Sequence, residues 1–336
     1  MRAAYLTRRR VVVVTAALLV LLLASLLAAA GIGPVPASLW RALAPGAAGT
    51  TDYVIVVQTR IPRVLLAGVV GAALATAGAG FQGLLANPLA DPHVLGISGG
   101  AAVFGAAVLV LGVDPVSPIV PLVAFLGALG AMTVVVLVAR TGGRTTPHAL
   151  LLVGVVMNAI AAALIMLVNA VASYRQAQGV LFWMMGALTT QDYFLVALVG
   201  AYAIVGAVVL LRHAAALNLL AAGEESAASL GVDVERVRRA VFVAAALLVG
   251  AAVSVSGMIS FVGLIVPHVL RLALGPDLRL LVPASFLFGA TFLVWADTVA
   301  RTVLGPAELP VGVITALLGG PFFLFLLRRS LRGGPR

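Results

Sequence analysis

Apolar residues occur in long uninterrupted runs that are separated by short polar connections. The first run extends from Val11 to Ala30, directly after Arg8, Arg9 and Arg10. Its 20 residues match the length that an α-helix needs to cross a bilayer and exceed the apolar region of a typical signal peptide. The pattern therefore predicts a first transmembrane helix that begins in the cytoplasm.

Nine further apolar runs follow, at about 61–83, 93–111, 118–140, 148–170, 193–211, 237–257, 260–274, 280–300 and 311–327. The run at 260–274 is short for a span and predicts a buried half-helix. We predict an all-α integral membrane protein of about ten transmembrane helices in one domain, with both termini in the cytoplasm. Its parts would be a tail over 1–10, helices one to six over 11–211, a cytoplasmic loop over 212–239, helices seven to ten over 240–327 and a tail over 328–336.

The composition is typical of an integral membrane protein and excludes several kinds of functional site. Hydrophobic residues make up 62% of the 336 positions and charged residues 10%, against about half and a quarter in a soluble domain. The chain has no Cys, which excludes disulfides, thiolate metal sites and a Cys nucleophile. All 21 basic residues are Arg, so neither a phosphate-binding P-loop nor Schiff-base chemistry is available. If the protein uses ATP, another chain must bind it.

The net charge of +10 is explained by membrane topology rather than by nucleic acid. Sixteen Arg fall in the parts assigned to the cytoplasm. Five fall on the predicted outer side: Arg41, Arg60, Arg63, Arg175 and Arg301. This asymmetry follows the positive-inside rule. We therefore predict membrane lipid as the surroundings and no nucleic-acid partner.

A faint internal repeat indicates a transporter. Residues 81–84 (FQGL) are followed by 92–95 (PHVL), and residues 261–264 (FVGL) are followed by 267–270 (PHVL). The two copies lie five predicted spans apart, so they would face opposite ways in the membrane. Inverted repeats are typical of transporters, although short apolar matches also recur by chance.

Arg60, Ile61, Pro62 and Arg63 are predicted to open the second helix at the outer face. Pro62 suits the first turn of a helix, and the two Arg lie on the same face. They could anchor the helix at the headgroups. Cations at a helix N-terminus oppose the dipole, however, which also favours a partner protein that supplies carboxylates. Both interpretations remain open.

Other polar residues near the predicted membrane edge are expected to be structural. Gln82 and Asn87 are predicted to satisfy exposed backbone groups, because Asn-Pro initiates turns. The isolated side chains of His93, His148 and His268 do not have the spacing of a metal site, so no metal is predicted. We expect structural roles for all five residues.

Two more segments carry charge. Asp297 and Arg301 lie four residues apart, which predicts a local ion pair with Arg301 facing the side of the other outer arginines. The run from Gly223 to Gly231 predicts a short amphipathic helix with an acidic first turn, stopped by Gly231. It is either a solvated connector or a compact knob suited to a groove on a partner.

These segments together resemble the permease subunits of ABC importers for iron-siderophores, cobalamin and haem, the FecCD type, over nearly the whole length. The motifs that carry the resemblance are Arg60 to Arg63, Gln82 with residues 87–90 (NPLA), Gly223 to Gly231, residues 256–268 (SGMISFVGLIVPH) and residues 308–312 (ELPVG). The resemblance implies a ten-helix subunit that works as a dimer, with two separate ATPase subunits and an extracytoplasmic binding protein. It implies the bacterial inner membrane and a bulky metal chelate as cargo, with no cofactor and no enzymatic activity of its own.

The resemblance also implies roles for individual residues. Arg60, Arg63 and Arg301 would receive acidic side chains of the binding protein. Glu224, Glu225, Ala227, Ala228, Leu230 and Gly231 would form the helix that couples to the ATPase, within the loop 212–239. Thr145 and Thr146 would lie at the inner gate, and Gln82, Asn87, Pro88, Pro267, His268 and Asp297 belong to structural motifs. The alternatives are an ion-coupled secondary transporter, which would need carboxylates near the midplane, and a membrane enzyme, for which converging catalytic groups are missing.

Overall fold

The computed structural model describes residues 6–141, 144–189, 192–305 and 307–332, and these residues are almost entirely helical. The first half contains α1 (Arg8–Gly31), α2 (Leu39–Ala42), α3 (Thr51–Tyr53), a π-helix (Val54–Arg60), α4 (Ile61–Leu84), a 3-10 helix (Pro92–Leu95), α5 (Ile97–Val110), α6 (Ile119–Ala139) and α7 (Pro147–Ala170). The second half contains α8 (Tyr174–Met184), α9 (Tyr193–Ala221), α10 (Glu224–Ser229), α11 (Val234–Ser256), α12 (Val262–Leu274), α13 (Leu278–Thr302) and α14 (Val311–Arg332). Two-residue strands, β1 (Arg140–Thr141) and β2 (Arg144–Thr145), pair antiparallel between α6 and α7.

The all-α membrane architecture predicted from the sequence is confirmed. Seven helices in the described part are long and apolar enough to cross a membrane: α1, the continuous helix Thr51–Leu84, α6, α7, α9, α11 and α13. Three shorter apolar helices accompany them, namely α5, α12 and the stretch Val311–Phe325 of α14. Each of the ten predicted runs overlaps one of these helices.

Helix α4 forms the centre of the bundle, where it contacts α9, α11, α12 and α13. Small residues allow the closest contacts: a Cβ placed on Gly71 would lie 2.2 Å from the carbonyl oxygen of Gly289, and one on Gly78 would lie 1.8 Å from that of Gly263. Backbones therefore touch along these seams, as is usual for helices that associate in membranes. The peripheral helices instead present apolar side chains outward, such as Leu152, which is 68% exposed on α7.

The second helix begins earlier than the sequence predicted. Thr50 caps its N-terminus by accepting a hydrogen bond from the amide of Tyr53, and the helix then continues without a break through the π-helix into α4. Pro62 lies near the junction between the π-helix and α4, where the change in hydrogen-bonding pattern tolerates its missing N–H. Arg60 and Arg63 are thus inside a helix, and the argument from an opposing N-terminal dipole does not apply to them.

The predicted loop over 212–239 is also shorter in the structure. Helix α9 extends to Ala221 and α11 begins at Val234, so the connection between them is 222–233. The sequence placed the loop boundaries at polar residues, but the helices continue through these residues and carry their side chains on the helix surface. His213 contacts the carbonyl oxygen of Val209 in the preceding turn through Nδ1 at 2.8 Å, and Asp233 caps α11 through the amide of Arg236 at 3.0 Å.

The predicted sequence repeat does not mark equivalent positions. Residues 81–84 end α4, whereas residues 261–264 begin α12. The first PHVL forms the 3-10 helix and the second lies within α12. Short apolar segments with one Pro fit either place, which explains the coincidence. What recurs is a succession of one long, one short and two long helices. The lengths are 24, 14, 21 and 24 residues for α4 to α7, and 23, 13, 25 and 22 residues for α11 to α14.

Candidate functional site

Helix α9 connects two ends of the bundle that carry different polar groups. At its start, the Tyr193 hydroxyl donates a hydrogen bond to the carbonyl oxygen of Val57, close to Arg60 and Arg63. Near its end, the Asn218 amide donates to the Asp277 carboxylate at 2.8 Å. We call the two ends the Arg63 end and the Glu224 end, since α10 follows α9 directly.

At the Arg63 end, Arg63 forms ion pairs with two carboxylates. Its Nε and Nη2 donate to Asp297 at 3.1 and 3.0 Å, and its Nη1 donates to Glu308 at 2.6 Å. The side chain of Asp297 is 1% exposed, that of Arg63 14% and that of Glu308 43%. One guanidinium therefore joins a buried and an exposed carboxylate through different donor atoms, as its fork geometry permits.

Arg301 is the buried fourth member of a charged cluster that it forms with Arg63, Asp297 and Glu308. Its Nε lies 3.6 Å from Asp297, so the predicted pair with Asp297 is present but is longer than the Arg63–Asp297 contact. Its Nη2 donates to the carbonyl oxygen of Ala29 at 2.6 Å and to the Thr298 hydroxyl at 3.2 Å. Because Arg301 is only 2% exposed, its donors point to the end of α1 rather than to solvent.

Arg60 fastens the segment that follows α1. It donates through Nη2 to the carbonyl oxygen of Val35 and through Nη1 to that of Gly31 at 3.4 Å, and it is 5% exposed. Gly33 makes this approach possible, because a Cβ at that position would lie 2.6 Å from the guanidinium. Arg60 and Arg63 therefore contact different elements in spite of their common helix face.

The family resemblance implied that Arg60, Arg63 and Arg301 receive carboxylates from a partner. The structure places all three at one end but engages each of them within the chain, and it supplies Arg63 with carboxylates from Asp297 and Glu308. Glu308 was present in a family motif without an assigned role. Its position 245 residues from Arg63 left no local signal of the pair.

At the Glu224 end, residues 224–231 form the predicted short amphipathic element. Helix α10 spans Glu224–Ser229, and Gly231 follows in a left-handed conformation with φ 85°. Ala227 is fully buried against the bundle, whereas Leu230 is 69% exposed. Glu225, Ala228 and Gly231 are exposed as well, so one side of the element faces away from the bundle.

A salt bridge ties α10 to the bundle. Glu224, 56% exposed at its side chain, accepts a hydrogen bond from Nη2 of Arg238 on α11, and Glu235 lies 3.6 Å from the same guanidinium. Arg238 is 6% exposed. The contact joins the first turn of α10 to the first turns of α11.

Thr145 and Thr146 also lie at this end. Thr145 belongs to β2, and Thr146 caps α7 by accepting a hydrogen bond from the amide of Ala149 at 3.2 Å. Arg140 and Leu150, which flank them in the chain, line a small cavity together with Arg238. The predicted gate residues therefore lie near the start of α11, and their gating role stays a prediction.

The predicted structural residues brace α4 against α12. Gln82 donates to the carbonyl oxygen of Leu264 at 3.3 Å and accepts from Arg271 at 3.3 Å. Nδ1 of His268 lies 3.3 Å from the carbonyl oxygen of Pro88. Gln82 satisfies a backbone carbonyl group, as predicted, and the contacts of Gln82 and His268 each link distant parts of the chain.

The loop before α5 is built in the same way. Asn87 accepts a hydrogen bond from the amide of Leu89 at 3.0 Å, which forms the predicted turn, and Pro267 is buried within α12. Nε2 of His93 contacts the carbonyl oxygen of Ile259 at 2.7 Å. Within the described ranges, no group of three or more His, Asp or Glu side chains is placed to hold a metal ion.

Comparison with known proteins assigns the architecture to a family. The FecCD transport family matches residues 17–329. The cobalamin import system permease protein BtuC of Halobacterium salinarum is 43% identical over 286 residues, which cover 83% of this chain and 74% of that protein. The hemin transport system permease protein HmuU of Yersinia pestis is 39% identical over 274 residues, which cover 81% of this chain and 82% of that protein.

A solved structure described as an inward-facing conformation of a metal-chelate type ABC transporter superposes with a TM-score of 0.82. It shares 29% sequence identity, and the match covers 95% of this chain and 99% of that chain. The similarity thus extends over both the Arg63 end and the Glu224 end. This chain belongs to the FecCD transport family, whose members are multi-pass permease subunits of ABC transporters and not enzymes.

Proposed function

We propose that this chain is the membrane-spanning subunit of a binding-protein-dependent importer that carries a bulky metal chelate into the cytoplasm by ATP-driven alternating access. The observation that carries the proposal is α10, a short exposed helix joined to α11 by the Glu224–Arg238 salt bridge. Since the sequence has no Lys and hence no P-loop, the power stroke has to enter through a surface of this kind.

The proposed orientation places the Glu224 end in the cytoplasm, with ten membrane helices and both termini on that side. The Arg asymmetry of sixteen against five supports it, since Arg236, Arg238 and Arg239 follow α10 closely in the chain. In a bacterium the protein would reside in the inner membrane. Two copies of the chain would enclose the path between them, and an ATPase subunit would receive α10 of each copy.

The Arg63 end would then face outward and receive the binding protein. Among the three predicted docking arginines, Arg63 is the one whose partner, Glu308, is itself exposed. We therefore assign the contact with an acidic side chain of the binding protein to Arg63. Arg60 and Arg301 would support it by holding the end of α1 and by adding positive potential to the same surface.

The cargo is proposed from the relatives. Their printed names assign them cobalamin and hemin, which are both large metal chelates. Such a molecule cannot cross a hydrocarbon layer of about 30 Å that offers it no hydrogen bonds. A shielded cavity between two subunits, open to one side at a time, would solve that problem and would require coupling to a second conformation. Haem, cobalamin and ferric siderophores form the proposed class.

The test is uptake by proteoliposomes that contain the chain, its ATPase and its binding protein. Haemin, cyanocobalamin and a ferric siderophore are offered in turn. We expect accumulation of one of them that requires ATP and all three proteins. Accumulation driven by an ion gradient in vesicles that contain this chain alone would overturn the proposal in favour of a secondary transporter.

A further inference from the structure

The two carboxylates on Arg63 differ in how readily they can be replaced. Asp297 accepts hydrogen bonds from Nε and Nη2 inside the bundle, with 1% of its side chain exposed. Glu308 accepts from Nη1 at 2.6 Å and is 43% exposed. Removal of Asp297 would strand a buried charge, whereas Glu308 can exchange its partner for water at little cost. Nη1 is therefore the replaceable side of the Arg63 guanidinium.

The chain around Glu308 is anchored independently of its side chain. The amide of Leu309 donates to the carbonyl oxygen of Ala300 at 3.0 Å, and the amide of Gly312 donates to that of Gly186 at 3.2 Å. Leu309 also packs against the main hydrophobic core. The Glu308 side chain can thus leave Arg63 while the backbone that leads into α14 stays in place.

A second carboxylate could take the vacated position without any change in the charge of the cluster. The guanidinium would keep its buried partner and regain a hydrogen bond at Nη1. A neutral or basic side chain would leave Nη1 unpaired or repelled. The geometry therefore selects an acidic side chain that approaches from the solvent side.

We propose that Glu308 occupies, in cis, the position on Arg63 that an acidic side chain of the docking partner takes in trans. The inference rests on the proposed function, because it requires a partner that docks at the Arg63 end. Glu308 acts as an internal competitor, so a weak or misplaced partner fails to displace it. Docking also releases the Glu308 side chain from α4, while Leu309 and Gly312 keep the start of α14 anchored.

The first test measures binding of the purified, substrate-free binding protein to the assembled transporter in nanodiscs. An exposed ion pair of this kind is closed about two to five times as often as it is open. We therefore expect Glu308→Gln to tighten the apparent Kd about three- to sixfold, since the competent fraction rises toward one. The matched control is Asp114→Asn, which removes an exposed carboxylate from the loop after α5 without touching Arg63.

The second test follows the residue that precedes Glu308. The chain has no Cys, so Ala307→Cys provides a unique position for a spin label on an exposed residue beside Glu308. We expect label mobility to rise when the binding protein is added. In the Glu308→Gln background, mobility should already be high and should change little on binding.

The outcomes separate this inference from the proposed function. Tighter binding by Glu308→Gln, with no change in Asp114→Asn and a mobile label after docking, supports the exchange. Unchanged or weaker binding by Glu308→Gln overturns it, even if the wild-type transporter binds the partner and imports cargo. A wild-type transporter that binds no binding protein overturns the docking role and this inference together.

Discussion

Asp297 on α13 accepts hydrogen bonds from both Nε and Nη2 of Arg63 on α4. The two residues are 234 positions apart in the chain, and the carboxylate of the pair is buried. The pair crosses the interface between α4 and α13, two helices of the bundle centre. It also neutralises a carboxylate that would be expensive inside a membrane protein. The stability of the Arg63 end should therefore depend on it.

Asp297→Asn is expected to cost about 3–5 kcal/mol, because it leaves Arg63 and Arg301 without their buried counter-charge. The measurement is the midpoint of unfolding of the purified chain in detergent. The double variant Arg63→Gln with Asp297→Asn should lose less than the sum of the two single variants. Glu308→Gln is the matched control, with an expected cost of about 1 kcal/mol or less. Equal midpoints for Asp297→Asn and the control would contradict the prediction.

Glu224→Gln is expected to weaken the mechanical link between α10 and α11. The lost exposed ion pair corresponds to about a two- to fivefold effect. We expect cargo uptake per ATP hydrolysed to fall by about that factor in reconstituted transporter, whereas ATPase assembly persists. Glu225→Gln is the matched control, because Glu225 is the neighbouring exposed carboxylate and has no salt bridge among the described residues. Similar losses in both variants would argue against the tether.

Gly78→Ala is expected to disrupt the bundle centre, since the new methyl group would lie 1.8 Å from the carbonyl oxygen of Gly263. Overpacking of this kind costs about 1–3 kcal/mol or more, and backbone atoms cannot move aside as a side chain can. Gly130→Ala on α6 is the matched control, with nothing within 4 Å of the added atom. Folded yield and unfolding midpoint should drop for the first variant alone. A Gly78→Ala protein as stable as wild type would show that the seam is looser than described.

Asp277 gives a prediction for pH. Hydrogen bonds from the Arg279 side chain, with further help from the Arg279 amide and Asn218, hold the pKa of the Asp277 carboxyl below its usual range despite partial burial. A lowered pKa in the folded state contributes stability above the ordinary value of about 3.9, and this stability is lost as the pH falls through the folded pKa.

We expect wild type to unfold at a higher temperature than Asp277→Asn between about pH 5 and 8, with a difference that shrinks below about pH 4. Asn keeps the capping function, so the comparison isolates the charge. Arg279→Gln should remove most of the pH dependence. If the difference in unfolding temperature between wild type and Asp277→Asn stayed constant from about pH 4 to about pH 8, the hydrogen bonds around Asp277 would not favour its ionised form, and the prediction would be wrong.

The sequence predicted the helices well because a long apolar run in a bilayer satisfies its backbone hydrogen bonds by forming an α-helix. All ten runs correspond to helices, and the acidic first turn of α10 and the stop at Gly231 are found as predicted. Boundaries failed where polar residues continue a helix, as at Arg212 and His213 on α9. The helix start at Thr51 was missed because the sequence 54–60 forms a π-helix, which has no simple pattern.

The site was harder to predict because its pairs join distant residues. Residues 60–63 alone carry no sign that Arg63 pairs with a carboxylate of its own chain. The structure shows that a carboxylate at position 63 would face the buried Asp297, so Arg63→Glu should destabilise the protein. Tests of docking therefore need substitutions at the exposed partner, Glu308.

The glycine seams between α4, α12 and α13 have a mechanical consequence. Where Gly71 meets Gly289 and Gly78 meets Gly263, no side chain lies between the backbones to absorb displacement. The 24 residues of α4 span about 36 Å at 1.5 Å per residue, so a tilt of about 5° moves its far end by about 3 Å. We therefore expect α4 to tilt as a stiff lever, so that a displacement at one surface of the membrane also moves the end of the helix at the other surface.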